Sequence, residues 1–189
     1  LHFLLRRQRQ MCIRDSDRLA QNDTLINGWQ PVIGLEIHVQ LQTNTKLFSP
    51  AKNQFGEEAN TLVDLIDMGL PGVLPVLNDG AVKQGIAFGL ATNAEIAKTM
   101  VFDRKNYFYP DLPKGYQITQ LHYPIVKNGV VDVEGKQVRI HQAHLEEDAG
   151  KSMHDVYDSE SVVDLNRSGV PLLELSLIHI SEPTRHTSI

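Results

Sequence analysis

The sequence predicts an α+β fold: a largely antiparallel sheet with helices on one face. Three observations predict it. Strand-like segments outnumber helical ones, the stretches joining them are short enough for hairpins, and one amphipathic helical segment is available to cover a sheet. With 189 residues, 41% of them hydrophobic, the chain can form one domain with a proper core. Its single cysteine, Cys12, excludes an internal disulfide framework and fits a reducing compartment. A net charge of −5 argues against a wide phosphate-binding surface, though it leaves room for a local basic patch. No apolar run approaches the roughly 20 residues of a membrane helix, so no membrane partner is expected. No internal repeat is visible.

The ends differ from the middle. Residues 1–16 read LHFLLRRQRQMCIRDS, with the apolar run before the arginines, the wrong order for a signal peptide, and no small-residue cleavage site. The tail from Leu177 reads LIHISEPTRHTSI. Both MCIRDS and SLIHISEPTR resemble translated adapter or vector sequence. Residues 1–28 are therefore read as a non-native or disordered leader, of which 17–28 form a polar lead-in. Residues 176–189 are read as a non-native tail.

Between them the elements follow in order. In VIGLEIHVQL, Ile33, Leu35, Ile37, Val39 and Leu41 alternate with Gly34, Glu36, His38 and Gln40, which predicts a strand over Val32–Leu41 with one aliphatic, buried face. Its other face carries Glu36 and His38 side by side, about 7 Å apart. That pair reads either as a site or as the solvated side of a half-covered sheet. Leu47-Phe48 can begin a short extended piece, and Leu62–Leu65 a strand. Gly69–Pro75, GLPGVLP, is an ordered loop, because its prolines lack the amide donor and disfavour helix before them; it also lacks the lysine and hydroxyl of a nucleotide P-loop. Asn78 then caps a helix over about Asp79–Asn93, in which Val82, Ile86, Leu90 and Ala94 recur every four residues. Gly85 and Gly89 weaken that helix but permit close packing on a sheet.

Val101–Tyr116 interleaves Arg104, Lys105 and Lys114 with five aromatics, which suits phosphate contact with base stacking and suits equally a loop pinned by its rings. Ile118–Val126 is short and extended. Val130–Val133 and Val138–Leu145 flank Glu134-Gly135-Lys136 as a hairpin. In its second strand Val138, Ile140, Gln142, His144 and Glu146 share one face, and Arg139, His141, Ala143, Leu145 and Glu147 the other. Neither face is cleanly apolar, which predicts a bulge or strand end near Leu145. Ser161–Leu165 and Val170–Leu175 are further short apolar runs around Asn166-Arg167-Ser168-Gly169. Glu174 lies inside the second run, and a carboxylate there is costly to bury unless paired or metal-bound; an edge position facing solvent is the other reading. The stretch His144-Leu145-Glu146-Glu147-Asp148-Ala149-Gly150-Lys151 sets three carboxylates between an imidazole and an ammonium. Such oxygens are hard ligands that suit Mg²⁺ or Mn²⁺, although an acidic triplet also reads as a solvated turn.

Five segments carry a family resemblance. VIGLEIHVQLQTNTKLFSP, GLPGVLPVLN, FDRKNYFYPDLPKGYQITQ, HLEEDAGKS and VDLNRSGVPLLEL resemble, in the same order, motifs of the GatB family, the kinase/transamidase subunits of the bacterial aspartyl/glutamyl-tRNA amidotransferases. The resemblance runs from about Trp29 to Leu175, so residues 29–175 are read as the N-terminal part of the family's catalytic domain. Family members continue for hundreds of residues, and the departure after Leu175 reads as truncation.

The resemblance implies a glutamine-synthetase-like catalytic core and an ATP-dependent carbon–nitrogen ligase that uses glutamine as amide donor. ATP phosphorylates the side-chain carboxylate of Glu-tRNA(Gln) or Asp-tRNA(Asn), and ammonia from a partner glutaminase then displaces phosphate. Carried over by motif, Glu36, His38, Glu147 and Glu174 are candidates for the Mg²⁺ and ATP site, with Glu146 a fifth. Arg104 and Lys105 are candidates for phosphate or the tRNA acceptor end, followed by Lys151, Asn166 and Arg167. A metal-binding His38 would have to be neutral, so acid should weaken the site. Some members carry a zinc-binding Cys-x-x-Cys before GLPG; here Asp64 and Asp67 stand there, and no zinc is expected. The implied partners are the GatA amidase and the small GatC protein of the GatCAB heterotrimer, together with misacylated tRNA, in the cytoplasm. A non-catalytic tRNA- or partner-binding fragment and a metal-dependent hydrolase are the competing readings, and the isolated fragment is expected to be inactive.

Overall fold

A computed structural model describes residues 7–10, 33–157 and 160–179. Among these, one helix and ten strands form an α+β fold in which every strand pairing is antiparallel. Strands β1 (Arg7–Gln10), β2 (Ile33–Gln40), β3 (Glu95–Ile96), β6 (Val126–Val133), β7 (Lys136–Glu147) and β10 (Pro171–His179) make one sheet in the order β1-β2-β10-β7-β6-β3. Two separate ribbons pair β4 (Asp103–Asn106) with β5 (Tyr116–Thr119), and β8 (Lys151–Tyr157) with β9 (Glu160–Asp164).

Alternation along β2 does what its pattern predicts: Ile37 and Val39 pack on the core and Leu41 is buried within it, although Leu35, nearer the strand start, is 39% exposed. On β10, Leu173, Leu175 and Leu177 point to the same core. On β7 the parity changes. Ser176 pairs with Gln142 but Leu177 pairs with Ile140, so His141 is an extra residue and the strand bulges there. The bulge lets Val138 and Ile140 face the core before it, and Ala143 and Leu145 after it. This is why neither alternating set of β7 reads as apolar. The bulge lies at His141, and the strand itself ends at Glu147, near Leu145 as expected.

Helix α1 (Asp79–Ala91) ends two residues short of the expected boundary: Thr92 caps it and Asn93 turns to φ 49°. It lies on the apolar side, against β3, β6 and β7. A methyl group on Gly89 would stand 2.8 Å from Ile96 Cγ1, and one on Gly85 2.9 Å from Ile125 Cδ1. Both glycines therefore serve close helix–sheet approach. Asn78 Oδ1 accepts the Gly80 N–H at 2.8 Å, while its Nδ2 donates to Thr45 O at 3.0 Å and Lys46 O at 3.1 Å. One side chain thus caps the helix and ties down the preceding loop. Asn78→Ala is expected to cost about 2 kcal/mol, the upper end for a cap because the loop contacts go too; the shift of the denaturant midpoint measures it.

Three local expectations are corrected. Leu62–Leu65 is a turn segment, not a strand, because Asp64 accepts the Ile66 N–H and Asp67 accepts the Asp64 N–H. Leu47-Phe48 is irregular, held by backbone bonds from Leu47 to Gly169 and from Asn78 to Leu47. The extended run expected over Ile118–Val126 is instead the end of β5 and the start of β6. The β6–β7 hairpin forms as expected, with Glu134 and Gly135 both at positive φ in its two-residue turn.

Candidate metal centre

The face of the sheet opposite the leucines gathers the chemistry. Glu174 on β10 pairs directly with His38 on β2 and with His144 on β7, so an imidazole, a carboxylate and an imidazole form a row across three strands. Glu146, two residues beyond His144, shares its face. His38 Nε2 lies 3.3 Å from Glu174 Oε2 and 3.8 Å from Glu146 Oε1. His144 Nε2 lies 3.2 Å from Glu174 Oε2 and 3.5 Å from Glu146 Oε2. One ligand atom each from His38, Glu146 and Glu174 falls within 4.8 Å of the others. Two carboxylate oxygens and one imidazole nitrogen at that spacing are a donor set that fits Mg²⁺ or Mn²⁺.

The electrostatics mark the same cluster. The hydrogen bond to Glu174 raises the His38 imidazole against its partial burial, and the Glu146 charge adds to the rise. Burial works to lower His144, but hydrogen bonds to Glu146 and Glu174 outweigh it and raise the group to about 9. Those two imidazoles in turn hold the Glu174 carboxyl well below the usual carboxylate range. Asp148, beyond the end of β7, borders the cluster. Its carboxyl accepts a hydrogen bond from Gln40 at 3.2 Å, and burial pushes it upward against the Arg167 guanidinium.

Of the residues singled out in the sequence, His38, Glu146 and Glu174 converge. Glu36 is exposed and opposite Ser176, one same-face step along β2 from His38, and stands outside the three-residue group. Glu147 is elsewhere: its neighbour Glu146 faces the cluster, so Glu147 faces the other way. It is buried, ion-paired to Lys114, and accepts the Ile118 N–H at 2.8 Å. Burial pushes its carboxyl up, and the Lys114 charge and the Ile118 amide oppose the rise. Arg104 and Lys105 are exposed on β4, with the Arg104 guanidinium 4.7 Å from the centre of the Tyr116 ring. Lys151 is exposed at the start of β8. Asn166 accepts the Leu62 N–H and donates to Glu58 O. Arg167 donates to Ala149 O and Gly150 O. Arg167 thus braces the end of the acidic stretch, and Asn166 the loop over residues 58–62. Asp67 pairs with fully buried Lys46 at 3.0 Å and accepts from Ser49. Sequence reasoning passes over His144 as a site residue, although its place two before Glu146 is the signal that puts both on one face.

A family model for the GatB/GatE catalytic domain matches residues 31–188. This chain belongs to the GatB/GatE family. It is 55% identical over 159 residues to the GatB subunit of the aspartyl/glutamyl-tRNA(Asn/Gln) amidotransferase of Vesicomyosocius okutanii, covering 82% of this chain and 33% of that protein. The corresponding GatB of Marinobacter nauticus is 56% identical over 160 residues, 82% of this chain and 32% of its own length. That of Psychrobacter arcticus is 54% identical over 182 residues, 89% of this chain and 35% of its own length. The chain thus spans about one third of the length of the curated GatB relatives it matches. Among the described residues no helix is long and apolar enough to cross a membrane.

Proposed function

We propose that this GatB chain supplies the carboxylate-activating site of a tRNA-dependent amidotransferase. In this reading a carboxylate oxygen of the glutamyl or aspartyl group on misacylated tRNA attacks the γ-phosphorus of ATP and ADP leaves. Ammonia then attacks the acyl carbon, phosphate departs, and the amide remains with the loss of a proton. A bound Mg²⁺ or Mn²⁺ would neutralise charge on the phosphate oxygens. The protein's part is to hold and orient. His38 Nε2 and one oxygen each of Glu146 and Glu174 form the cation's seat, on three paired strands whose opposite face is packed with leucine, which keeps the donors in place. Arg104, stacked over Tyr116, and Lys105, both exposed on β4, offer phosphate contacts to the nucleotide or the acceptor end. Lys151 is a further exposed cation, while Asn166 and Arg167 act by fixing the loops they bind. The proposal includes a glutamine-synthetase-like core without zinc, the GatA amidase as ammonia source, the small GatC protein, and a cytoplasmic setting.

The observation that carries this reading is the convergence of His38, Glu146 and Glu174 from three strands distant in sequence. Titration with Mn²⁺, read by the loss of the free-ion EPR signal, tests it. The expected result is one ion per chain, with His38→Ala weakening affinity by at least about 100-fold, since even residues that merely support a ligand cost 10–100-fold when lost. Binding unchanged in His38→Ala, or no binding at millimolar Mn²⁺, would remove the site.

A further inference from the structure

We infer that Thr119 and His144 are positioning residues that together hold Glu146 Oε2, so that Oε1 is the oxygen this carboxylate presents to the cation seat. The inference rests on the cation-binding reading above. A glutamate has two chemically equivalent oxygens, and a ligand that rotates freely loses affinity to its own disorder. Here the two are made unequal. Thr119 Oγ1 donates to Glu146 Oε2 at 3.2 Å, and His144 Nε2 stands 3.5 Å from that same oxygen. Oε1 is the oxygen turned toward His38, 3.8 Å from its Nε2.

The fold goes to some length to bring Thr119 there. The pairing of β6 with β7 stops at Val126 and Ala143, which leaves the β7 edge beyond Ala143 without a ladder neighbour on that side. Strand β5 and Gln120, the residue after it, cover that edge through side chains. Gln120 Oε1 accepts the Leu145 N–H at 3.0 Å, and Gln117 Nε2 donates to Glu147 O at 2.8 Å. The Ile118 N–H donates to Glu147 Oε1 at 2.8 Å. These bonds bracket Thr119, which is 1% exposed and whose β-branched side chain has little freedom at χ1. The hydroxyl therefore arrives at Glu146 already aimed. His144 reaches the carboxylates from within β7 itself. Its Nε2 faces oxygens of both Glu146 and Glu174, which can only accept, so Nε2 carries the hydrogen; its Nδ1 is buried with no hydrogen-bond partner among the described residues. Carboxylate ligands in metal sites are commonly oriented in this way by donors behind them.

The test is Mn²⁺ titration of the 189-residue chain carrying Thr119→Val, Thr119→Ser, Thr119→Ala and His144→Leu, with the bound-ion EPR linewidth and the melting temperature recorded for each. Thr119→Val, which replaces the hydroxyl by a methyl of similar size, is expected to weaken Mn²⁺ binding about 10–100-fold and to broaden the bound-ion spectrum. Thr119→Ser should restore both, and His144→Leu should weaken binding to a similar degree. Thr119→Ala stands in should the valine variant not fold. If wild type binds Mn²⁺ and folded Thr119→Val or Thr119→Ala binds it as tightly with the same spectrum, the positioning role is overturned and the cation site survives. If wild type itself binds none, the cation reading fails first and this inference with it.

Discussion

Glu174→Ala is expected to abolish divalent-cation binding, a loss of at least about 100-fold in Mn²⁺ affinity, and to change how the ion-free protein responds to alkali. Glu174 is the carboxylate at the middle of the row: its Oε2 lies 3.3 Å from His38 and 3.2 Å from His144. Removing it takes away an oxygen of the proposed cation seat and the acceptor shared by both imidazoles. The pH dependence follows from the direction of each shift. His144 is raised from 6.5 to about 9, so its protonated form stabilises the ion-free fold fully below pH 6.5, and that contribution disappears as pH climbs through about 9. Glu174 is depressed, so its contribution is present above its ordinary range and disappears as pH falls below 4.5. Denaturant midpoints measured from about pH 4 to 10 should therefore fall on the alkaline side in wild type. In Glu174→Ala that fall should be smaller, because only Glu146 remains to hold the His144 proton. An identical alkaline slope in the two proteins, or Mn²⁺ binding that survives the substitution, would falsify the central place given to this carboxylate.

How much of this is open to view in the sequence depends on whether the deciding contact is local. The β2 strand, the α1 helix with its Asn78 cap, and the β6–β7 hairpin are legible, because alternation, a capping side chain and a Glu-Gly turn are properties of neighbours in the chain. His38 is legible for the same reason, a polar residue set by alternation on the face away from the aliphatic ones, while Glu174 stands out as a carboxylate inside a run of leucines, costly to bury unless paired. Strand β8, KSMHDVY, escapes notice because its alternation carries almost no hydrophobic signal. Leu62–Leu65 reads as a strand on apolar content alone, which overlooks the two aspartates that make it a turn. The choice between Glu146 and Glu147 is the hardest. Parity within β7 is broken by the bulge at His141, and the register of β10 against β7 joins residues far apart in the chain, such as Glu174 and His144. Thr119 is invisible for a similar reason: nothing near it in sequence says that β5 will cover the free edge of β7.

The neighbouring carboxylates should therefore separate cleanly in experiment. Lys114→Ala is expected to destabilise the fold by about 3–5 kcal/mol, the cost of leaving Glu147 charged and buried without its partner. It should leave Mn²⁺ affinity within about two-fold of wild type, because Glu147 looks away from the proposed cation seat and a supporting contact to a metal ligand would have cost ten-fold or more. Both side chains are almost wholly buried, at 3% and 2% exposed, so solvent does little to soften the loss. Replacing both, as Lys114→Met with Glu147→Met, should recover much of the stability, since two apolar chains carry no desolvation penalty. Recovery will be incomplete, because the Ile118 N–H loses its acceptor on Glu147. Urea unfolding of the two single variants and the double variant gives the coupling directly. A Lys114→Ala protein that is as stable as wild type yet has lost Mn²⁺ binding would mean that Glu147, rather than Glu146, is the carboxylate that serves the cation, and the parity argument on β7 would have to be abandoned.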